Sequence, residues 1–278
     1  MIKVTYNTEG IRVEISEISQ VIENLPLNLQ IKKHVSKETQ WSSELNDFWF
    51  ATYPNTEMFD VVVTDSKGFN LYKKEWDIME HGNDFYKKLW LYNKSLISHG
   101  KLPVGLVIGT HDGEFGEWVP IVLKRECKVF LVEASEPQYN KLVKNYQNNS
   151  LVTTIKELVT PDGGEVEFFE GGAGYTNTVV EKVIKFWETS QIESSKKQSI
   201  SINNLINEYC GCKPDWLHLD VEGLDAKLIR AIKKEFLPNF IIYEDFNLPV
   251  DERIELETYL SNQNFKVNSE KGISLAIR

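Results

Sequence analysis

His218, Asp220 and Glu222 recur at every second position in the segment His218-Leu219-Asp220-Val221-Glu222-Gly223-Leu224-Asp225. Carboxylates and an imidazole gathered at one cleft can take a proton from a hydroxyl, so the pattern reads as general-base chemistry. The same oxygens suit a divalent cation. Acids also gather where a helix begins, because its dipole favours negative charge there, and Asp225 is read that way. If the segment is a strand, residues 218, 220 and 222 share one side. They then fall at the carboxyl end, where open α/β sheets place their ligands. Glu244 and Asp245 close the next apolar run and are expected beside them.

A second group precedes these: Val107-Ile108-Gly109-Thr110-His111-Asp112-Gly113-Glu114-Phe115-Gly116. It follows an apolar run and is expected to open a helix. Glycines at 109 and 113 let the backbone turn sharply and approach a ligand. A dinucleotide fingerprint needs glycine where His111 stands, and a phosphate loop needs a lysine that is missing. The turn therefore suits a nucleoside cofactor without phosphate, S-adenosylmethionine first among them. Glu133 closes the next apolar run, at the separation where an acid meets ribose hydroxyls. A carboxylate accepts from both hydroxyls of a diol. The plainer alternative is a tight turn, with Glu133 capping the helix that follows.

These residues need a frame, and the sequence supplies one. LPVGLVIG, KVFLVEAS, VTTIKELV, PDWLHLDVEG and NFIIYED are short apolar runs that read as buried strands. PQYNKLVKNYQNN, LDAKLIRAIKKEF and DERIELETYLSNQ between or after them read as helices, and FKVNSE with ISLAIR as a closing strand pair. Such alternation predicts a doubly wound, mainly parallel sheet. Residues 83–99 carry helical spacing before Gly100, and residues 188–199 read as a loop. Residues 1–80 predict a β-rich module, with a hairpin at Asn7-Thr8-Glu9-Gly10; residues 81–278 form the larger domain. The aromatics Trp41, Phe48, Trp49, Phe50, Tyr53, Tyr72 and Trp76 are read as core rather than as a sugar platform.

The formal net charge of -10 argues against nucleic acid and anionic lipid, both of which demand a basic footprint. A small-molecule or neutral glycan partner fits better. No apolar stretch has the length of a membrane span. Cys127, Cys210 and Cys212 lack the spacing of a disulfide framework or a zinc site, which predicts reduced thiols and a cytoplasmic protein. Composition leaves the oligomeric state open.

From about residue 100 to the end, the chain resembles the FkbM-type methyltransferases. The resemblance rests on IGTHDGEFG, VFLVEASEPQYNKLVKN, VTPDGGEVEFF and above all WLHLDVEGLDAKLI, which looks like the family's D-x-E-G-x-[DE] signature. It implies a class I (Rossmann-like) methyltransferase fold, S-adenosylmethionine as donor and O-methylation, often of sugars. By this resemblance Gly109, His111 and Gly113 line the methionine and ribose end, with Thr110 and Ala134 beside the cofactor. Glu133 binds ribose and Leu158 flanks the adenine. Asp220 and Glu222 sit near the transferred methyl group, and Glu222, Asp220 or His218 takes the proton. The segment 171–178, with Tyr175, shapes the acceptor pocket. The chain departs from the family at Val107, where an acid is usual, and at His218, where lysine is common. Two rival readings follow: a degenerate methyltransferase fold that only binds glycan, which Val107 favours, and a nicotinamide oxidoreductase, which His111 disfavours.

Overall fold

In the computed structural model the described residues are 2–7, 10–15, 27–33, 35, 37, 39–45, 48–51, 58–64, 66–68, 70–114, 116–171, 176–187 and 192–278. They divide into two compact units: Met1–Lys87 with Gly113–Leu123, and Lys88–Asp112 with Lys124–Arg278.

The first unit carries β1 (Ile2–Asn7), β2 (Gly10–Ile15), β3 (Leu27–Lys33), β4 (Thr39–Leu45), β5 (Phe48–Ala51), β6 (Phe59–Thr64) and β7 (Asn70–Lys74). They form two antiparallel sheets, in the orders β1-β2-β5 and β4-β3-β6-β7. The expected hairpin pairs Asn7 with Gly10. Leu27, Leu29 and Ile31 alternate into the core from β3, the period-two pattern of a sheet with one buried face. Of the aromatics expected in the core, Trp76 is buried; the side chains of Trp41, Phe48, Trp49, Phe50, Tyr53 and Tyr72 lie outside the described residues.

Two helices follow, α1 (Ile78–His81) and α2 (Asp84–Ser98). Then the alternation begins: β8 (Val104–Ile108), α3 (Val119–Leu123), β9 (Lys128–Glu133), α4 (Glu136–Tyr146) and β10 (Val152–Lys156). Pro137 sits in the first turn of α4, where its missing N–H costs nothing. An insertion follows, comprising β11 (Val159–Thr160), β12 (Gly164–Glu170), α5 (Glu181–Trp187), β13 (Glu193–Ser201) and α6 (Ile202–Leu205). The chain ends with β14 (Trp216–Leu219), α7 (Asp225–Ala231), β15 (Phe240–Glu244), α8 (Val250–Asn262), β16 (Lys266–Glu270) and β17 (Ile273–Ile277).

Seven of these strands form one sheet in the order β10-β9-β8-β14-β15-β17-β16. The first five run parallel, and β17 runs antiparallel to both its neighbours. β8, β9, β14 and β15 are buried almost along their whole length, as strands covered on both faces must be. Phe130, Trp216, Phe240 and Tyr243 are among the largest fully buried side chains.

The structure corrects the sequence reading in three places. Residues 193–199, read as part of a loop, lie in β13, which pairs antiparallel with β12 along seven residue pairs. Their polarity hid them: the strand is mostly exposed, and ion pairs Lys196–Glu165 (2.8 Å) and Lys197–Glu170 (2.9 Å) replace apolar alternation across the pair. The helix expected directly after the glycine turn begins only at Val119, because Gly113 and Gly116 take φ of 73° and 90°, which no right-handed helix continues. Finally, β14 stops at Leu219, so strand alternation does not reach Glu222.

The closing hairpin turns at Lys271 and Gly272, both at positive φ (52° and 86°), the backbone of a two-residue turn whose twist matches its strands. Beside it, Ser274, fully buried, donates to Asp245 Oδ2 at 2.6 Å. Ser274→Ala removes a donor from a buried carboxylate. It is expected to lower stability by about 2 kcal/mol, measured by denaturant titration; an unchanged midpoint would refute the claim. Among the described residues no helix is long and apolar enough to cross a membrane. All three cysteines are free, and burial pushes the Cys127 and Cys210 thiols up to about 12.

Candidate functional site

β8, β9 and β14 end at one level, with Ile108 paired to Val132 on one side and Leu219 on the other. The chain leaves β8 for β9 on one side and takes up β14 on the other, so this is the switch point at which such sheets bind ligands.

The glycine turn is tied down at that point. The backbone N–H groups of Gly109 and Thr110 donate to the Val132 carbonyl, at 3.1 and 3.2 Å. The buried Thr110 hydroxyl donates to the same oxygen at 3.2 Å, so Thr110 holds the turn rather than facing outward. Gly109 adopts φ 83°, and a Cβ there would stand 1.8 Å from the Asp220 carbonyl oxygen. Only glycine lets the turn lie against the end of β14. His111 takes a left-handed φ of 51° and places its ring Nδ1 3.2 Å from Asp112 Oδ1. Asp112 is buried, and its carbonyl accepts from Asn145 Nδ2 at 2.8 Å. Gly113 belongs to the first unit.

Glu133 closes β9 and is buried. Its Oε2 accepts from the His111 N–H and its Oε1 from the Ser135 N–H, both at 2.8 Å. Burial raises its pKa, and these amides and His111 oppose the rise. A carboxylate has about four acceptor positions, so the two amides fix its plane and leave lone pairs for a diol. Ala134, half-buried, follows directly. Leu158, buried, lies beyond the end of β10, its carbonyl held by the Ile200 N–H at 2.8 Å.

On the other side of the switch point stand the acids. Asp220, Glu222 and Glu244 each bring a carboxylate oxygen within 4.8 Å of the others. Asp220 hangs directly on the sheet, its N–H donating to the Ile108 carbonyl at 3.0 Å. Glu222 arrives through a left-handed residue, φ 53°, an unusual backbone for a non-glycine side chain. Its carbonyl is held by Thr178 Oγ1 at 2.9 Å. Asn247 bridges the pair: its Nδ2 donates to Glu222 Oε2 at 2.7 Å and to Glu244 Oε2 at 3.0 Å. Sequence reasoning had no signal for Asn247, since a lone amide after a strand is ordinary loop chemistry.

Crowded acids hold their protons. Desolvation, then Glu244, Asp220 and Asp225, pushes Glu222 up to about 9. Desolvation and Asp220 raise Glu244 to about 7, against the Asn247 amide. Desolvation raises Asp220 to about 6, against the pull of His111, although the side chain is solvent-accessible. Asp225 is fully buried at the start of α7, raised by desolvation and by Glu244 and Asp220, and eased by backbone N–H groups. His218 lies inside the sheet, paired with Val107 and Ile242. Burial pushes its imidazole down to about 3, so it is a neutral ring at physiological pH.

Three oxygens this close are a donor set for a hard cation. In this arrangement, however, the facing oxygens of Glu222 and Glu244 are already joined by an amide N–H₂. Tyr175 lies outside the described residues.

A mixed seven-stranded sheet of this order, with one reversed strand and an acid-closed turn at its switch point, defines a class I methyltransferase fold, that of S-adenosylmethionine-dependent enzymes. A sequence model described as the methyltransferase FkbM domain matches residues 108–267, more than half of the chain; the chain belongs to the FkbM methyltransferase family. Comparison with curated proteins returns no match. Among solved structures, the chain is similar to the precorrin-6y C5,15-methyltransferase of Geobacter metallireducens GS-15, at 10% identity and TM-score 0.38, covering 69% of this chain and 89% of that one. It is also similar to the N-terminal domain of human METTL16 in complex with SAH, at 13% identity and TM-score 0.38, covering 69% and 68%. A third is the fibrillarin pre-rRNA processing protein of Methanococcus jannaschii, at 12% identity and TM-score 0.39, covering 99% and 96%.

Proposed function

We propose that the protein transfers a methyl group from S-adenosylmethionine to a hydroxyl of a sugar or glycan. The observation that carries this reading is the juxtaposition at one switch point of a diol-accepting carboxylate, Glu133, and a set of proton-accepting carboxylates, Asp220, Glu222 and Glu244. S-adenosylmethionine supplies a methyl group on a sulfonium, and its positive charge suits a cluster of acids that would repel a pyrophosphate.

Glu133 accepts from the ribose hydroxyls and Leu158 offers an apolar side to the adenine. Gly109, His111 and Ala134 shape the wall between, on the turn that Thr110 holds from behind. Asp220 and Glu222 stand toward the acceptor, where one of them takes the hydroxyl proton and Glu244 shares the charge. Holding donor and acceptor in line, away from water, is the protein's larger contribution. The neutral, buried His218 is the weakest base of the group. With three free thiols, the protein suits a reducing compartment such as the cytoplasm.

One observation favours a second reading. Val107, where the family carries an acid, is fully buried in β8 and offers the cofactor no charge, as expected of a degenerate fold that binds glycan without turnover. Incubation with methyl-labelled S-adenosylmethionine and a panel of mono- and oligosaccharides separates the two. Transfer of label to a base-stable ether is the expected result. Calorimetric binding of S-adenosylmethionine without transfer to any sugar would favour the second reading, and absence of binding would end the first.

A further inference from the structure

Three aromatic side chains of the second unit stand in solvent. Phe186 is 70% exposed, Trp187 45% and Phe246 55%. They touch one another: Phe186 meets Trp187 edge-on at 5.1 Å, and Trp187 meets Phe246 at 5.6 Å with planes 34° apart. Contiguous exposed rings mark an interaction site more often than a single stray one does.

Their position is held from two directions. Trp187, the last residue of α5, donates its Nε1 hydrogen to Asn247 Oδ1 at 3.2 Å. The nitrogen of that same amide donates to Glu222 and Glu244, so one side chain separates the indole from the carboxylates. Phe246 donates its N–H to the Gly272 carbonyl at 3.2 Å. A Cβ on Gly272 would stand 3.0 Å from the Phe246 Cβ, so the hairpin turn presses against the base of that ring.

We propose that Trp187 and Phe246, with Phe186 at the rim, form the platform on which the sugar ring of the acceptor stacks, presenting a hydroxyl to Glu222 and Glu244. The proposal rests on the methyl-transfer reading above and adds the residues that select the acceptor. A pyranose combines a C–H face with hydroxyl donors, and the patch combines ring faces with carboxylates, which accept and do not donate when ionised. A compact cation is a poorer match. Aromatic cages surround a cation with facing rings, whereas these two planes lean together. A nucleic acid base would bring phosphates toward a cluster of acids.

The test uses the ¹⁵N-labelled full chain titrated with the methyl pyranosides of glucose, galactose and mannose, following the Trp187 indole N–H resonance assigned by its loss in Trp187→Phe. At least one pyranoside is expected to shift that resonance saturably. Trp187→Ala and Phe246→Ala should each weaken that binding about tenfold, the order of a lost aromatic contact, as read from the remaining shifts. Both should leave the dissociation constant for S-adenosylmethionine within about twofold. Trp187→Phe, which keeps a ring, should retain most of the sugar affinity. The proposal is overturned if no pyranoside moves the resonance, if neither alanine variant weakens sugar binding, or if only tetramethylammonium moves it. Sugar binding at Trp187 without any methyl transfer would sink the transferase reading and leave the platform standing. Methyl transfer to a sugar that is indifferent to both alanine variants would do the reverse.

Discussion

Glu133→Gln is expected to weaken S-adenosylmethionine binding by about one to two orders of magnitude in a calorimetric titration, while the fold survives. The carboxylate closes β9 and is fixed by two backbone amides, from His111 and Ser135. Gln offers a single acceptor oxygen, so one of those amides loses its partner and the diol faces a neutral group that also donates. A hydrogen bond to a charged group contributes about 1.5–3 kcal/mol, which sets the expected loss. Because the buried carboxyl is already disfavoured by desolvation, neutralising it offsets part of the cost of the lost amide contact. Circular dichroism and thermal melting should therefore change little. Glu133→Asp is the control: it keeps the charge but withdraws it by one methylene, and should lose binding with no change of sign. Full affinity in Glu133→Gln would place the nucleoside elsewhere.

Most of the larger sheet was legible because its strands are buried on both faces and so appear as unbroken apolar runs. LPVGLVIG and NFIIYED needed no long-range information to be recognised. β13 failed that criterion. Its Lys196 and Lys197 pair with Glu165 and Glu170 on β12 rather than packing into a core, and a strand stabilised by cross-strand ion pairs looks like a loop in sequence. The site divides in the same manner. Gly109, Glu133 and Asp220 sit at strand ends, so finding the strand finds the residue. Glu222 is placed by a left-handed turn three residues past the strand and was reached for a partly mistaken reason, continued alternation. Asn247 and Trp187 come from a loop and from the end of a helix in the insertion, and only the folded chain brings them to the carboxylates.

Glu222→Gln is expected to lower turnover by about 10²- to 10⁴-fold, the usual worth of a positioned proton acceptor, with S-adenosylmethionine affinity nearly unchanged. The effect on stability has the opposite sign. In the wild type, Glu222 is raised from 4.5 to about 9, Glu244 from 4.5 to about 7 and Asp220 from 3.8 to about 6. Over those windows the folded chain binds more protons than the unfolded chain, so stability falls as pH rises. The fall begins near the unfolded pKa values and is complete only above about 9. Glu222 is half-buried and reached by water, so its share is about 1–3 kcal/mol rather than the full value of the shift. A proton acceptor must be ionised, so the rate of methyl transfer should rise across the interval from about 6 to about 9 in which the folded protein loses stability. Glu222→Gln removes the largest of these ionisations and should melt a few degrees higher than wild type at pH 9, and at nearly the same temperature at pH 5. An inactive variant that is more stable in alkali is hard to obtain from general damage to the fold. If Glu222→Gln instead kept its turnover, or melted lower than wild type at pH 9, the buried charge at Glu222 would belong neither to the chemistry nor to the cost of holding the site together.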